Sequence, residues 1–323
     1  MPFTCEILEP SEVSKRVTYY QETGFIRVKN NKVPENFPCV EKLWSDGYCL
    51  SSRYENYVDE IENFKIREDD VWVVTYPKCG TTWAQEMVWQ ICNDLQLNTS
   101  CNLSERFPFF EAGCMWNNWP NKTLNFLNDE PSPRFFKSHL PASLLPKQIW
   151  TVKPRIVYVA RNMKDVMVSF YHHYRNICLF SGTFSDFAEL FMDNRVYFSP
   201  FDSHILNFWH MKDKENILFL TYEDMKTDLP AVIEKTADFL GKSLSRNQIK
   251  DLADHLSFEN FSKNPYVNYQ EEILRVKKEF NLPRDFNFIR RGKVNSYKDE
   301  MSGEMINTID SWLENRDGVA DLQ

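Results

Sequence analysis

Glycine is scarce in this chain, which has only nine glycines in 323 residues. That is under half of the average usage, which is about 7%. A chain this sparing with glycine keeps it where the backbone needs a positive φ or must closely approach another group. Gly80 and Gly292 both lie beside basic residues, so they are the first candidates for a binding role.

The chain also lacks the apolar segments of a membrane protein. No apolar run reaches the roughly 18 residues of a membrane-spanning helix, and the start, MPFTCEILEPSEVSKRV, has no basic region followed by an apolar stretch. The eight cysteines are scattered without a Cys-x-x-Cys pair, which predicts reduced thiols rather than a disulfide framework or a zinc site. We therefore expect a cytoplasmic protein with no membrane partner and no metal.

An excess of positive charge is missing as well. Lysine and arginine number 38 against 46 aspartates and glutamates, for a net charge of −8. A chain without a basic field is not expected to bind nucleic acid, although it can bind a small polyanion where a few cations gather. What the chain does have is 42% apolar and 15% aromatic residues, enough for a sizeable core.

Apolar, strand-like runs alternate with helical segments along most of the chain. The predicted strands are VWVVTY (71–76), RFFKSHL (134–140), RIVYVA (155–160) and NILFLTY (216–222). Helices are expected from about Thr82, over 164–178 and around 229–241. This pattern predicts an α/β fold with a central parallel sheet flanked by helices.

The predicted sheet belongs to a single domain over residues 66–316. Residues 1–65 are interpreted as an N-terminal extension packed on this domain, and residues 317–323 as a C-terminal tail. Ligands of such sheets bind beyond the carboxyl ends of the strands. The residues that follow those ends are therefore the most informative: Lys78, Lys137 to His139, Arg161 and Tyr222.

The first strand end is followed by Lys-Cys-Gly-Thr-Thr (78–82) and then by a helix. The N–H groups of a helix start are unsatisfied and carry partial positive charge, and glycine and hydroxyls favour an anion there. The segment predicts a P-loop-like phosphate-binding strand–loop–helix, although the Walker spacing is missing. An ordinary turn with a threonine cap and a surface lysine explains it about equally well. Cys79, near a helix start and a lysine, predicts a thiol with a lowered pKa.

Two further basic clusters follow. In ARNMKDVMVSF, Asn162 is expected to cap a helix with Asp165 completing a capping box, and Arg161 to project from the strand end. Residues 290–293, Arg-Arg-Gly-Lys, can wrap a phosphate with charge-assisted bonds. Taken singly, the first of these is better explained as an exposed arginine with an ordinary helical serine, and the second as a solvated basic turn.

Together and in this order, these segments resemble the cytosolic sulfotransferase family over about residues 66–312. TYPKCGTTW is similar to the family's 5′-phosphosulfate loop, ARNMKDVMVSFYHHYR to its 3′-phosphate segment and FIRRGKVNSYK to its C-terminal Arg-Lys-Gly segment. RFFKSHLPASLLP and LTYEDMK lie between them in the family's order, and the long part before the first strand favours an insect-type member.

The resemblance implies a reaction. The donor would be 3′-phosphoadenosine 5′-phosphosulfate (PAPS), the product nucleotide would be 3′-phosphoadenosine 5′-phosphate (PAP), and no metal would be needed. The sulfuryl group would pass by in-line displacement to a hydroxyl or amine of a small, apolar, aromatic or isoprenoid acceptor. Residues 105–127, which are rich in aromatics, resemble the family's acceptor side.

The resemblance also implies roles residue by residue. His139 would be the general base, and Lys78 and Lys137 would contact the transferred group. The donor site would comprise Lys78, Cys79, Gly80, Thr81, Thr82, Trp83, Arg161, Ser169, Tyr222, Phe258, Arg290, Arg291 and Gly292. The acceptor pocket would include Phe109, Phe110 and His139. His172 and His173, adjacent on a helix, are interpreted as packing or surface residues.

Other functions stay open at this point. The family's dimer motif is degraded to Lys298-x3-Ser302-Gly303-x3-Asn307, which leaves a homodimer undecided. One alternative is a dehydratase that acts on an alcohol such as retinol through a transient sulfate ester, and another is a non-catalytic binder of a hydrophobic ligand. The missing Walker lysine–serine pair argues against a third alternative, a nucleotide kinase.

Overall fold

The computed structural model describes residues 2–18, 24–33, 37–38, 47–115, 124–269, 274, 278, 288–314 and 316. Its strands are β1 (Phe3–Ile7), β2 (Phe25–Asn30), β3 (Tyr48–Ser51), β4 (Val71–Thr75), β5 (Phe135–Ser138), β6 (Arg155–Ala160) and β7 (Ile217–Thr221).

Most helices are short, and two of the longest, α3 and α8, begin at the predicted binding loops. The helices are α1 (Glu12–Arg16), α2 (Val58–Glu62), α3 (Thr81–Cys92), α4 (Leu103–Arg106), α5 (Ala112–Met115), α6 (Leu124–Asp129), α7 (Ile149–Val152), α8 (Met163–Ile177), α9 (Phe184–Met192), α10 (Phe201–Trp209), α11 (Tyr222–Thr227), α12 (Leu229–Phe239), α13 (Arg246–His255), α14 (Phe258–Lys263) and α15 (Gly303–Glu314). Short 3₁₀ helices span Ser52–Tyr57, Ala142–Leu144 and Ser296–Asp299.

The four strands predicted from the apolar runs form one parallel sheet in the order β5-β4-β6-β7. Successive residues of its strands face opposite sides. On β4, Trp72 and Val74 join one core cluster while Val71 and Val73 join the other, on the opposite face. Since both faces are covered, the strands are mostly apolar, as is usual in parallel sheets, although β5 ends in Lys137 and Ser138. The predicted α/β class is confirmed.

Three N-terminal strands form a second, antiparallel sheet in the order β1-β2-β3, which the sequence reasoning did not foresee. Tyr48 and Leu50 of β3 are fully buried in the larger core cluster. Backbone hydrogen bonds join Cys49 to Phe198 and Ser199 at 2.8 and 2.9 Å. This part of the chain therefore packs directly against the segment that follows α9.

The predicted helices are present, with one correction to the capping of α8. Asn162 does cap this helix, since its side chain accepts from the N–H groups of Lys164 and Asp165. The expected capping box is wrong, because the Asp165 carboxylate instead accepts from the backbone of Asn295 and Tyr297 at 2.7 and 3.0 Å. Asp165 thus fastens the C-terminal segment to α8. The proposed tail, 317–323, lies outside the described residues.

Candidate active site

The carboxyl ends of the four parallel strands bring the predicted residues to one edge of the sheet. Lys78 follows β4, His139 follows β5, Arg161 follows β6 and Tyr222 follows β7. The guanidinium of Arg161 donates to the carbonyl of Lys78 at 3.1 Å and lies 4.1 Å from the centre of the Tyr222 ring. The separate segments therefore form a single site.

The loop after β4 leaves the start of α3 open. Lys78 and Gly80 both have positive φ, 71° and 99°. No side chain caps α3, whereas α8 is capped by its own asparagine. The first N–H groups of α3 are therefore available to an anion. A Cβ at Gly80 would lie 2.8 Å from the Tyr222 ring, so a larger residue would displace the ring that Arg161 covers.

The hydroxyls of this loop differ in their surroundings. Thr81 is buried, and its Oγ1 lies 2.6 Å from Oγ1 of Thr75 at the end of β4. Thr82 is only half-buried in the first turn of α3. The Thr81 hydroxyl thus ties the loop to the strand, and the Thr82 hydroxyl is the more accessible of the two.

His139 is buried and held at three points. Its backbone N–H donates to Oε1 of Glu111 at 2.6 Å, its carbonyl accepts from Nε2 of His204 at 2.9 Å, and its ring Nδ1 lies 2.8 Å from the carbonyl oxygen of Thr75. Since a carbonyl only accepts, Nδ1 carries the proton and Nε2 has a free lone pair. Burial, together with the charge of Lys137, lowers the pKa of His139 well below its usual range, so the ring is neutral at pH 7.

The two lysines of the site are unusually easy to deprotonate. Burial, then the charges of Lys137, Arg161 and Arg290, lower the pKa of Lys78 to about 7. Burial also lowers the pKa of Lys137 to about 8, although Glu111 opposes the shift. The cations acting on Lys78 come from each of the other predicted segments. The acidic chain therefore concentrates positive charge at this edge, where a polyanion would relieve the repulsion.

The C-terminal basic segment reaches the site through its backbone and its arginines. Arg161 donates to the carbonyl of Lys293 at 3.0 Å. Arg290 forms an ion pair with Glu300, which also accepts from His172 at 2.6 Å. Burial alone would raise the pKa of Glu300, but His172 and Arg290 hold it below its usual range. Arg291 pairs with Asp299 at 3.0 Å.

An aromatic border surrounds the basic residues. Trp83 donates to the carbonyl of Leu256 at 2.9 Å and packs edge-on against Tyr222, with ring centroids 5.6 Å apart. Phe258 is 39% exposed, and a Cβ at Gly292 would lie 2.2 Å from its ring. Gly292 also has a φ of 58°, so both its conformation and its contact require glycine.

Two predictions fail on burial. Cys79 is fully buried, and burial raises the pKa of its thiol, so the expected low-pKa thiol is wrong. Phe110 is also fully buried, with its ring against Phe64, Trp72 and Phe136, so it belongs to the core rather than to an acceptor pocket.

Phe109 lies beside His139 and Lys137, and its place in an acceptor pocket stays a prediction. Its ring lies edge-on to His139 with centroids 5.2 Å apart, and Nζ of Lys137 lies 4.3 Å from its centre. Ser169 is half-buried in α8, so its contact with a phosphate stays a prediction.

Several residues of the site were missed in the sequence. The carbonyl of Thr75 orients the ring of His139, and Glu111 fixes the backbone of His139. Nζ of Lys78 lies 4.5 Å from the centre of the Phe288 ring. The sequence contained only a weak indication of Thr75 and Glu111. Thr75 is a polar residue at the end of an apolar strand, and Glu111 is a carboxylate within the aromatic segment 105–127. His173, interpreted as a packing or surface residue, lies near this lysine as well, because its ring is 6.3 Å from that of Phe288.

No group of three or more histidine, cysteine, aspartate or glutamate side chains in the described ranges could hold a metal ion. Among the same residues, no helix is both long and apolar enough to cross a bilayer.

Known proteins share this fold and these segments. The family model of the sulfotransferase domain matches residues 68–320. Luciferin sulfotransferase from Photinus pyralis is 41% identical over 279 residues, which cover 81% of this chain and 75% of that protein. The structure of retinol dehydratase in complex with androsterone and inactive cofactor PAP is 29% identical, with a TM-score of 0.82, and the match covers 97% of this chain and 96% of that one. Its complex with retinol and PAP has a TM-score of 0.81 at the same identity and coverage.

The fold and the site define an enzyme that holds a phosphorylated nucleotide at the edge of a parallel sheet. The chain belongs to the sulfotransferase family. Membership makes it a PAPS-dependent transferase that acts on a small molecule, with PAP as the product nucleotide. The family, the enzyme class and the donor predicted from the sequence are thereby confirmed.

Proposed function

We propose that the chain transfers the sulfuryl group of PAPS to the hydroxyl of a small, apolar acceptor, with His139 as the general base. The observation that carries the proposal is the setting of this ring. Nδ1 donates to the carbonyl of Thr75, which leaves the Nε2 lone pair for a proton, and Lys137, whose pKa is lowered, precedes it by two residues. A neutral, fixed imidazole is the form that can remove a proton near neutral pH.

The residues at the sheet edge fit the donor's phosphates. The uncapped start of α3 and the glycine at position 80 suit the 5′-phosphosulfate. Nε of Arg161 is buried without a hydrogen-bond partner among the described residues, as expected of a group that awaits an anion. Arg290, Arg291 and Gly292 adjoin Arg161 through its bond to Lys293 and would hold the 3′-phosphate with it.

PAPS supplies an activated sulfuryl group, and the chain supplies positioned charge and a base. Lys78 lies where negative charge would develop on the leaving phosphate, and Lys137 would contact the transferred group. Cations held in a buried site stabilise developing charge more strongly than they would in water. Nε2 of His139 would take the acceptor's hydroxyl proton as its oxygen forms the bond to sulfur.

The acceptor would lie beside Phe109 and Phe198, whose rings flank His139 with centroid distances of 5.2 and 5.4 Å. Aromatic walls of this kind suit flat or elongated apolar molecules. The similar proteins point the same way, since they are named for luciferin or are bound to androsterone or retinol. We therefore propose an apolar aromatic, steroid or isoprenoid alcohol as the acceptor class.

The replacement of His139 by alanine tests the base. We expect His139→Ala to lose sulfate transfer from labelled PAPS by at least about 100-fold, which is the usual contribution of a general base, while PAP binding survives. His210→Ala is the matched control, since His210 is exposed at the end of α10. Full turnover by His139→Ala would remove the base assignment.

Dehydration of an alcohol is the second candidate, because the retinol dehydratase structures match nearly the whole of this chain. In that reaction the alcohol is first sulfated, and the ester then loses sulfate and a proton to leave a carbon–carbon double bond. Incubation with PAPS and retinol distinguishes the outcomes: a dehydrated product with free inorganic sulfate supports dehydration, and a stable sulfate conjugate supports simple transfer.

The organisation of the chain is proposed as well. We propose that the chain has a catalytic domain over 66–316, an N-terminal extension over 1–65 and a C-terminal tail over 317–323. We also propose that the protein is cytoplasmic. The seven cysteines in the described part of the chain are all free thiols, as a reducing compartment would keep them. Size-exclusion chromatography with light scattering tests the homodimer that the degraded motif leaves undecided.

A further inference from the structure

His173 faces the transfer centre from the C-terminal half of α8. It follows Ser169 by four residues, so the two side chains lie on the same face of the helix. His172 points elsewhere, toward Glu300, whose Oε2 accepts a hydrogen bond from Nε2 of His172 at 2.6 Å. The ring of His173 instead lies 6.1 Å from Phe170 and 6.3 Å from Phe288.

Phe288 connects this histidine with the reacting groups. One neighbour of its ring is the imidazole of His173 and another is Nζ of Lys78, at 4.5 Å. Burial and the charges of Lys78 and Lys137 also lower the pKa of His173. His173 therefore lies beside the point of transfer.

The start of α8 lies at the other end of the site. Met163 is the first residue of this helix, directly after the strand end that carries Arg161. At 1.5 Å per residue, His173 is roughly 15 Å further along the helix axis than Met163. His173 therefore lies one turn beyond Ser169, toward the end of α8 that is far from Arg161.

One polar atom of the His173 ring has no partner in the described part of the chain. Its Nδ1 is buried and makes no hydrogen bond among the residues that the structure describes. Buried polar atoms without partners are rare in folded proteins, and each one calls for a partner or a role. Burial, with Lys78 and Lys137 nearby, keeps the pKa of His173 well below its usual range, so the imidazole is neutral and does not select an anion by charge.

We propose that Nδ1 of His173 hydrogen-bonds a second hydroxyl of the acceptor, apart from the one that is sulfated, and so favours acceptors that carry two. A hydroxyl fits because it can donate to or accept from Nδ1, whichever tautomer the neutral ring adopts. The inference rests on the proposed function, since it assumes that the acceptor lies beside His139. Within that function, His173 determines specificity and takes no part in the chemistry.

The test compares 2-naphthol with the 2,3-, 2,6- and 2,7-dihydroxynaphthalenes. For each, kcat/KM is measured with PAPS, and Kd is measured by calorimetry on the PAP-loaded protein. His173→Phe keeps an aromatic ring without the polar atom, and His173→Asn places a polar atom near the position of Nδ1. We expect His173→Phe to lower the diol-to-naphthol ratio about twofold to tenfold for at least one diol, the effect of one lost hydrogen bond. His173→Asn should restore part of that ratio.

His172→Phe is the matched control, since the adjacent histidine faces Glu300, and its diol-to-naphthol ratio should equal that of the unmodified protein. An unchanged ratio for every diol in His173→Phe overturns the inference, as does a loss of PAP affinity without a change in the ratio. Failure of the proposed function looks different: no naphthol is sulfated at all, and the calorimetric ratio alone then decides whether His173 recognises the second hydroxyl.

Discussion

PAP binding should draw protons into the protein, and its affinity should fall as the pH rises above 7. A change of pH acts on binding through the protonation of the Lys78 amine. In the free protein, burial and neighbouring cations lower the pKa of this lysine to about 7. A bound polyanion offsets that repulsion and raises the pKa. Between this pKa and the raised pKa of the complex, the complex holds more protons than the free protein, so a rise in pH opposes binding there.

The size of the effect follows from the shift. One pKa unit corresponds to about 1.36 kcal/mol, so one proton taken up by Lys78 makes the PAP Kd rise about tenfold per pH unit between roughly pH 7.5 and 9. Lys137, with a pKa of about 8, steepens the slope in the upper part of this range. The ligand's phosphates have a second pKa of about 6 and are fully ionised there, so they contribute little.

Calorimetry at pH 7 to 9, in two buffers with different ionisation enthalpies, measures both the affinity and the protons taken up. Lys78→Met should bind PAP more weakly with a shallower slope, because one of the titrating groups is gone. Lys235→Met is the matched control, since Lys235 is exposed on α12, and it should keep the full slope. A PAP affinity that is flat or rises from pH 7 to 9, with no dependence on the buffer, would refute the reasoning.

Three further predictions concern the framework of the site. Iodoacetamide at pH 8 should label exposed Cys101 well before buried Cys79 in the native protein, as read by peptide mass spectrometry, and equal rates would contradict the burial argument. Gly292→Ala should lower the unfolding free energy by about 1–3 kcal/mol through its left-handed backbone, whereas Gly303→Ala, with open space around its Cβ, should not. Asp165→Ala should weaken PAP binding and lower Tm, because three donors of the C-terminal segment lose their acceptor; unchanged calorimetry and melting would count against that anchor.

The apolar runs made the central sheet predictable. VWVVTY, RIVYVA and NILFLTY are largely buried on both faces, so their sequences are mostly apolar and stand out from their surroundings, whereas RFFKSHL mixes apolar and polar residues. The site residues nearest to those strands followed, because parallel strands deliver their carboxyl ends to one edge. Lys78, His139, Arg161 and Tyr222 were predicted in this way, and the structure brings them to that edge, while their roles stay predictions.

The residues that the sequence did not yield act through contacts between distant segments. Glu111 reaches the backbone of His139 from 28 residues away, and His204 reaches its carbonyl from 65. Contacts between residues so far apart in the chain leave no recognisable pattern in the sequence. The N-terminal sheet was missed for a related reason, since its strands pair with one another and are only partly apolar. The aromatic segment 105–127 gave a prediction too many, since Phe110 belongs to the core. Its neighbour Phe109 faces His139, and the sequence does not distinguish two adjacent phenylalanines.

Thr75 connects the proposed donor loop with the proposed base. Its carbonyl orients His139 at 2.8 Å, and its hydroxyl lies 2.6 Å from that of Thr81 in the first turn of α3. Because Thr75 ends a central strand, both contacts refer to the same rigid backbone. A displacement of the loop would therefore also move the Thr75 carbonyl that orients His139. The proposed in-line transfer requires the sulfur, the leaving oxygen and the attacking oxygen to be aligned closely, and a residue that contacts both the loop and His139 would hold the two sides of that line together.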